Sequence, residues 1–342
     1  MSTARGVPDL YLGPAGGEAL IAAELRDLGL RIGETGPGRV SATGAADPPG
    51  GLAFPHLVLR APQEIEGASV NAVARAAADL FLVLIEHDRI DRPWPCLVTA
   101  APELKGLGQR AQAVRRQLLD LLGKRVARVA RLAAPDLPPG GGDHRGLVLH
   151  LVDFDRGWLA RDLWSGGQRR MADDPAAPSR SYLKVEEAYG VLGREPREGE
   201  TVCDLGAAPG GWSYSAARRG ARVTAVDNGP LKGGALGHPL IRHVQADAFA
   251  FAPAAGERCD WLFCDLVEEP HHVLRNLVEP WLAERRCRRF VIILKYGRTD
   301  PAALLRELRD PAGVLRQAAP AARVRHLFHD RDELTLVGTL AD

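Results

Sequence analysis

Asp204-Leu205-Gly206-Ala207-Ala208-Pro209-Gly210-Gly211-Trp212 follows a short apolar run and precedes a helical stretch. It reads as a strand end, a glycine-rich turn and a helix start. Glycines let such a turn pass close to a nucleotide-like ligand with no Cβ in the way. A helix start adds N–H groups that have no partner within the helix. The spacing is not the G-x-G-x-x-G of dinucleotide folds, and the lysine of a P-loop is missing. Since a plain tight turn fits the glycines alone, the flanking pattern decides.

Working outward, residues 201–205, 222–226, 243–246, 261–264 and 290–294 are short apolar runs separated by helical stretches. That alternation predicts an α/β fold with a mostly parallel sheet and helices on both faces. Two last strands, 324–328 and 334–340, are joined by a short turn and should pair antiparallel. The whole is a Rossmann-like, open doubly wound sheet with a terminal antiparallel hairpin. In such sheets ligands sit at the carboxyl ends of the strands. Asp227 ends the next run, 21 residues after Gly206 (227 − 206), and an acid there can take both hydroxyls of an adenosine ribose. Asp247 ends the following run, placed to meet an adenine amino group. Either alone fits a helix cap, but three strand ends in succession favour a ligand.

The string from Asp204 to Ser213 resembles the signature of the FtsJ-type RNA ribose 2′-O-methyltransferases. The resemblance implies S-adenosylmethionine as cofactor, with Gly206, Gly210, Trp212, Asp227, Asp247 and Asp265 around it. It also implies a Lys-Asp-Lys-Glu tetrad. Its members match Lys184, on a helix before the glycine-rich strand, Asp265 and Lys295, at successive strand ends, and Glu333, opening the last strand. Lys295 is expected to be the general base, Asp265 to orient it, and Lys184 with Glu333 to position the hydroxyl. The 177–181, 226–230 and 329–331 strings resemble the branch that methylates a cytidine ribose in large-subunit (23S) ribosomal RNA. Tyr296-Gly297-Arg298 departs from that branch's pattern. The implied partner is RNA, as large-subunit rRNA or a precursor particle.

In that branch an N-terminal extension contains a THUMP domain, an RNA-binding module. The expected organisation is therefore an N-terminal α/β segment over 1–65, a THUMP-like region over 66–165, a linker over 166–180 rich in Gly and Pro, and a methyltransferase domain over 181–342. In the middle region 70–86 is a strong amphipathic helix. Residues 109–132 form a long basic helix, with a break expected near Gly123. Between Lys105 and Arg131 eight Lys and Arg face one acid, Asp120. Solvated helix faces and a phosphate-contacting surface fit this run equally well.

The net charge of +1 does not separate nucleic-acid enzymes from others. No apolar run approaches the ~18–20 residues that span a bilayer. Residues 1–6 lack an export pattern. The five scattered cysteines suit a reducing cytoplasm and form neither a disulfide frame nor a zinc site. No metal is expected: His271 and His272 are adjacent, point apart and have no third ligand. The oligomeric state stays open. Trp212 fits a place beside the cofactor or a core anchor equally, and Tyr296 is a candidate for stacking on a base. Three alternatives remain: ribose methylation of tRNA or a cap, methylation of a base (with Cys264 expected to face the core instead), and a non-catalytic RNA-binding protein that kept the fold.

Overall fold

The computed structural model describes residues 7–45, 47–48, 50–254 and 256–341. Residues 1–6, on which the export reading rests, lie outside the described residues. The chain divides into two compact units, residues 1–46 with 54–166 and residues 47–53 with 167–342.

The first unit runs β1 (Asp9–Leu12), α1 (Glu18–Asp27), β2 (Arg31–Gly36), β3 (Arg39–Thr43), β4 (Leu57–Leu59), β5 (Gln63–Glu66), α2 (Val70–Leu84), β6 (Trp94–Ala100), α3 (Leu107–Arg125), α4 (Ala127–Arg131), β7 (Ala133–Ala134), β8 (Gly142–Leu151) and β9 (Arg156–Ser165). Its strands follow the order β2-β3-β1-β4-β9-β8-β6-β7, with β5 also on β9. Residues 1–65 and 66–165 are thus stitched into one sheet, because β4 and β5 both pair antiparallel with β9. One core joins Val73, Ala77 and Phe81 of α2 to Ala111, Val114, Leu118 and Leu122 of α3. The basic helix breaks at Val126 (φ −142°, ψ 62°), not at Gly123. A glycine costs a helix only ~1 kcal/mol and does not end it. Of the basic residues, Arg115 donates to the Cys96 carbonyl at 3.0 Å and Arg125 pairs with Asp79. Arg116, Lys124, Arg128 and Arg131 are exposed.

The second unit contains α5 (Tyr182–Leu192), β10 (Thr201–Leu205), α6 (Gly211–Ala217), β11 (Arg222–Val226), β12 (Ile241–Val244), β13 (Cys259–Cys264), α7 (Pro270–Val273), α8 (Glu279–Ala283), β14 (Cys287–Lys295), α9 (Pro301–Arg309), α10 (Val314–Ala318), β15 (Arg323–Arg325) and β16 (Glu333–Thr339). The strand order is β12-β11-β10-β13-β14-β16-β15. The first five strands in that order are parallel; β16 runs antiparallel between β14 and β15. From β10 the chain first builds outward to β11 and β12, then crosses to β13, so the topological switch lies between β10 and β13. Strand residues 261–264 and 290–294 are fully buried, as expected of strands covered on both faces.

Alternation along the strands sets which face carries chemistry. Trp261 and Phe263 of β13, Val291 and Ile293 of β14 and Val337 of β16 share one core with Val185, Ala188, Tyr189 and Val191 of α5. Continuing by twos on that face leads to Asp265, Lys295 and Glu333. The fifteenth strand is shorter than the 324–328 expected. The chain leaves the sheet at His326, whose N–H donates to the Ala53 carbonyl at 2.9 Å. The 166–180 stretch has no helix or strand. Even so, Gln168, Arg169 and Met171 bond to His326, Glu187 and His329, and the Ala172 carbonyl accepts from the Tyr182 hydroxyl, so the stretch is held against the rest of the second unit.

Gly123 is exposed, helical and has nothing within 4 Å of a built Cβ. Gly123→Ala should therefore raise stability by ~0.5–1 kcal/mol. A urea midpoint that falls would show the helix to be broken there after all.

Candidate active site

The glycine-rich turn is built by backbone geometry. Gly206 has φ +78°, and a Cβ there would lie 2.7 Å from Leu266 Cδ2. Gly210 has φ +105°, and its Cβ would lie 2.5 Å from the Ala235 Cβ. Both positions therefore exclude side chains through conformation and packing. The Ala208–Pro209 bond between them is cis. Beneath the turn, fully buried Asp204 accepts from Ser213 Oγ at 2.6 Å. Burial raises its carboxyl to about 7, with Asp265 and Asp227 adding to the rise.

The structure places the six expected cofactor residues unequally. Asp227 lies one residue beyond β11, half-buried, and accepts from Ala208 N at 3.0 Å and Gly229 N at 2.7 Å. Its carboxylate thus braces the glycine-rich turn while keeping lone pairs for a ligand. Asp247 is not a strand end: β12 stops at Val244, and the exposed Asp247 accepts from Phe249 N at 2.9 Å in the following turn. Trp212 is a core residue. Its indole N–H donates to the Ser181 carbonyl at 2.9 Å and its ring meets Phe263 edge-on at 5.8 Å. It thereby anchors α6 to the segment that opens α5.

The four expected tetrad residues come together. Lys295 Nζ donates to Asp265 Oδ1 at 2.7 Å and to the Leu266 carbonyl at 3.2 Å. Lys184 Nζ pairs with Glu333 Oε2. Lys295 and Glu333 sit opposite each other in the β14–β16 register. Residues opposite on an antiparallel pair project to one face, so the two ion pairs lie side by side. They are part-buried: Lys295 is 23% exposed and Glu333 9%. Removing one partner would leave its mate uncompensated, which is the expensive case for a buried pair. Lys295 stays accessible to a substrate.

Other residues singled out go elsewhere. Tyr296 is buried, with its hydroxyl donating to the Arg331 carbonyl at 3.4 Å, so its ring face is not offered to a base. His271 Nδ1 faces Glu307 at 2.9 Å while the His272 ring meets Phe249 at 4.7 Å, tilted by 58°, so the two rings have different partners. Among the described residues no group of His, Cys, Asp and Glu could hold a metal ion. None of their helices is long and apolar enough to cross a membrane. A cavity of about 630 Å³ lies at the amino ends of the parallel strands, lined by Thr201, Arg222, Ile241 and Cys259, away from the tetrad edge.

One participant escaped the sequence. Glu187, fully buried on α5, accepts from Arg169 N (3.1 Å), Phe328 N (3.0 Å) and His329 N (3.2 Å). Burial pushes its carboxyl up to about 8, against the opposing pull of those three donors. A glutamate one helical turn from apolar Leu183 on one side and Val191 on the other was the available signal. Asp330, also buried, accepts from Leu327 N and Thr335 Oγ1, and burial raises it to about 7.

Comparison with known proteins gives the setting. An FtsJ-like methyltransferase family model matches residues 177–284. The chain is similar to ribosomal RNA large subunit methyltransferase M of Azoarcus sp., at 33% identity over 71% of this chain and 68% of that one. With the same-named protein of Laribacter hongkongensis it shares 42% identity over 51% of each chain. The chain spans about half the length of that relative and of several others it matches, 51–57%. Among solved structures, the pre-rRNA processing protein fibrillarin of Methanococcus jannaschii aligns over 53% of this chain and 79% of its own, at 16% identity. Its TM-score of 0.36 is too low to bear on function.

Asp204 yields a signed prediction. Its raised pKa means that the folded state holds a proton the unfolded state releases near 3.8, so its stabilising share is full below that pH and is lost as pH rises through about 7. Asp204→Asn should flatten this component. Urea midpoints at pH 5 and pH 8 should lie closer together in the variant than in the parent; an unchanged difference would contradict the assignment.

Proposed function

The chain belongs to the ribosomal RNA large subunit methyltransferase M family, and from that premise we propose that it transfers a methyl group from S-adenosylmethionine to a ribose 2′-hydroxyl of RNA. The observation that carries this reading is the pair of ion pairs, Lys184–Glu333 and Lys295–Asp265, on one sheet face. We propose large-subunit rRNA as the target, following the names of the relatives, and a cytidine within it, following the resemblance carried by the 177–181, 226–230 and 329–331 strings. The first unit would present the RNA, with Arg116, Lys124, Arg128 and Arg131 as phosphate contacts.

The residues fit the cofactor. Asp227, its carboxylate held by two backbone N–H groups, suits ribose hydroxyls. Gly206, Gly210, Asp247 and Asp265 lie at the same strand edge or in the turns beyond it, and Trp212 supports them from the core. When bound, S-adenosylmethionine supplies a methyl group already activated on a sulfonium. The chain's own task is to make the hydroxyl nucleophilic, since it reacts poorly until its proton is removed. Lys295, in its neutral form, takes that proton at Nζ. Asp265 and the Leu266 carbonyl fix where Nζ sits. Glu333, held by Lys184, orients the hydroxyl toward Lys295. Alignment of this kind can be worth ~7–11 kcal/mol.

A base methyltransferase with a cysteine nucleophile is disfavoured. Cys264 is fully buried in the core and burial pushes its thiol up to about 12, so no thiolate is offered at neutral pH.

Lys295→Ala should reduce methyl transfer by ~100-fold or more, the usual scale of general-base catalysis, while cofactor binding by calorimetry stays intact. A variant that keeps its activity would refute Lys295 as the base.

A further inference from the structure

A lone exposed aromatic is ordinary on a protein surface. Phe328 is exposed but not loosely held. It is 42% exposed, and the guanidinium of Arg170 lies over its ring at 5.9 Å from the centroid. The two come from distant parts of the chain, and a buried group ties their backbones together. Glu187 Oε1 accepts from the N–H of Phe328 and from that of Arg169, next to Arg170. Glu187 Oε2 accepts from His329 N, and His329 Nε2 accepts from Met171 N at 3.0 Å. Residues 169–171 and 328–329 are thereby laced on both sides of the Arg170–Phe328 contact. Burying a carboxylate is costly unless its hydrogen bonds are filled, and here they serve to hold these two stretches.

The location ties this pair to the tetrad. Glu187 sits one helical turn after Lys184 on α5, and Phe328 lies five residues before Glu333. Burial lowers the pKa of His329, and the positive charges of Arg170, Arg180 and Lys184 add to the fall against Asp173. An aromatic ring with an arginine over it is what stacks on an unpaired base and meets its phosphate.

Resting on the proposed ribose methylation, we propose that Phe328 and Arg170 form a stacking platform for an unpaired RNA base beside the ribose held at Lys295, with Glu187 as its positioning residue. The platform takes any base by its π-face and so contributes affinity and placement of the single strand. Discrimination among bases is left to other contacts.

The test uses the full chain, a fluorescein-labelled single-stranded oligoribonucleotide read by anisotropy, and methyl transfer to an unmodified large-subunit rRNA transcript. Phe328→Ala should raise the Kd for the oligonucleotide and the KM for the transcript by about tenfold or more, within the range of base–aromatic stacking. Cofactor affinity and kcat should change little. Phe328→Trp should restore RNA affinity and Phe328→Leu should not, because an apolar side chain that merely fills space has no π-face. Arg170→Ala should weaken RNA binding in the same assay. RNA binding left at the parental level by Phe328→Ala, or rescue by leucine equal to that by tryptophan, would overturn the platform. If the parental chain methylates no ribose, the functional reading fails by itself, and the anisotropy series still decides the platform.

Discussion

Lys295 and Glu333 stand opposite each other at the end of the β14–β16 pairing, and this one register position organises the site. Side chains directly opposite on an antiparallel pair share a face, and a one-residue slip would turn Glu333 to the other side. With the register as it is, the face that carries Val291, Ile293 and Val337 into the core beneath α5 ends in Lys295 and Glu333. The same alternation brings Asp265 up from β13. The helix covering this face supplies Lys184 from its first turn. Four charged groups therefore converge because they lie at the rim of one apolar layer, each paired with a partner that the layer also positions.

Buried carboxylates support that rim. Asp204 lies under the glycine-rich turn and holds Ser213, Glu187 holds the 169 and 328–329 stretches, and Asp330 holds Leu327 and Thr335. Burial raises the pKa of each. Each gives up solvation and recovers hydrogen bonds from backbone or hydroxyl groups that would otherwise be free to move. Irregular segments around the two ion pairs are thereby fixed to regular elements. The chain that leads into Glu333 is held at Leu327, Phe328 and His329 before it re-enters the sheet.

Much of this was legible in residues. Short apolar runs alternating with helical periodicity gave the parallel sheet, and the Asp204 to Trp212 string marked where β10 ends. The four charged residues that form the ion pairs were implied by the family resemblance, with Lys184 on a helix and Asp265, Lys295 and Glu333 at strand ends. What local sequence did not carry was tertiary. Ile241 begins β12 two residues before the expected run, so Asp247 falls in a turn instead of at a strand end. Trp212 fits a cofactor wall or a core anchor equally well until Phe263 and Ser181 are seen around it. The helix over 109–132 breaks at Val126 and keeps Gly123, since a single glycine is a weak breaker. The polar strand β2, Arg31–Gly36, shows almost no apolar alternation because most of its residues face solvent. Glu187 draws partners from 169 and from 328–329, a connection no local pattern encodes.

The central claim is that paired lysines and carboxylates on one sheet face activate a ribose hydroxyl. Its most direct test is to incubate the protein with labelled S-adenosylmethionine and unmodified large-subunit rRNA, digest the RNA, and identify the labelled nucleoside by mass spectrometry. The account predicts label on a 2′-O-methylribose, attached to cytosine. Label on a base would contradict it.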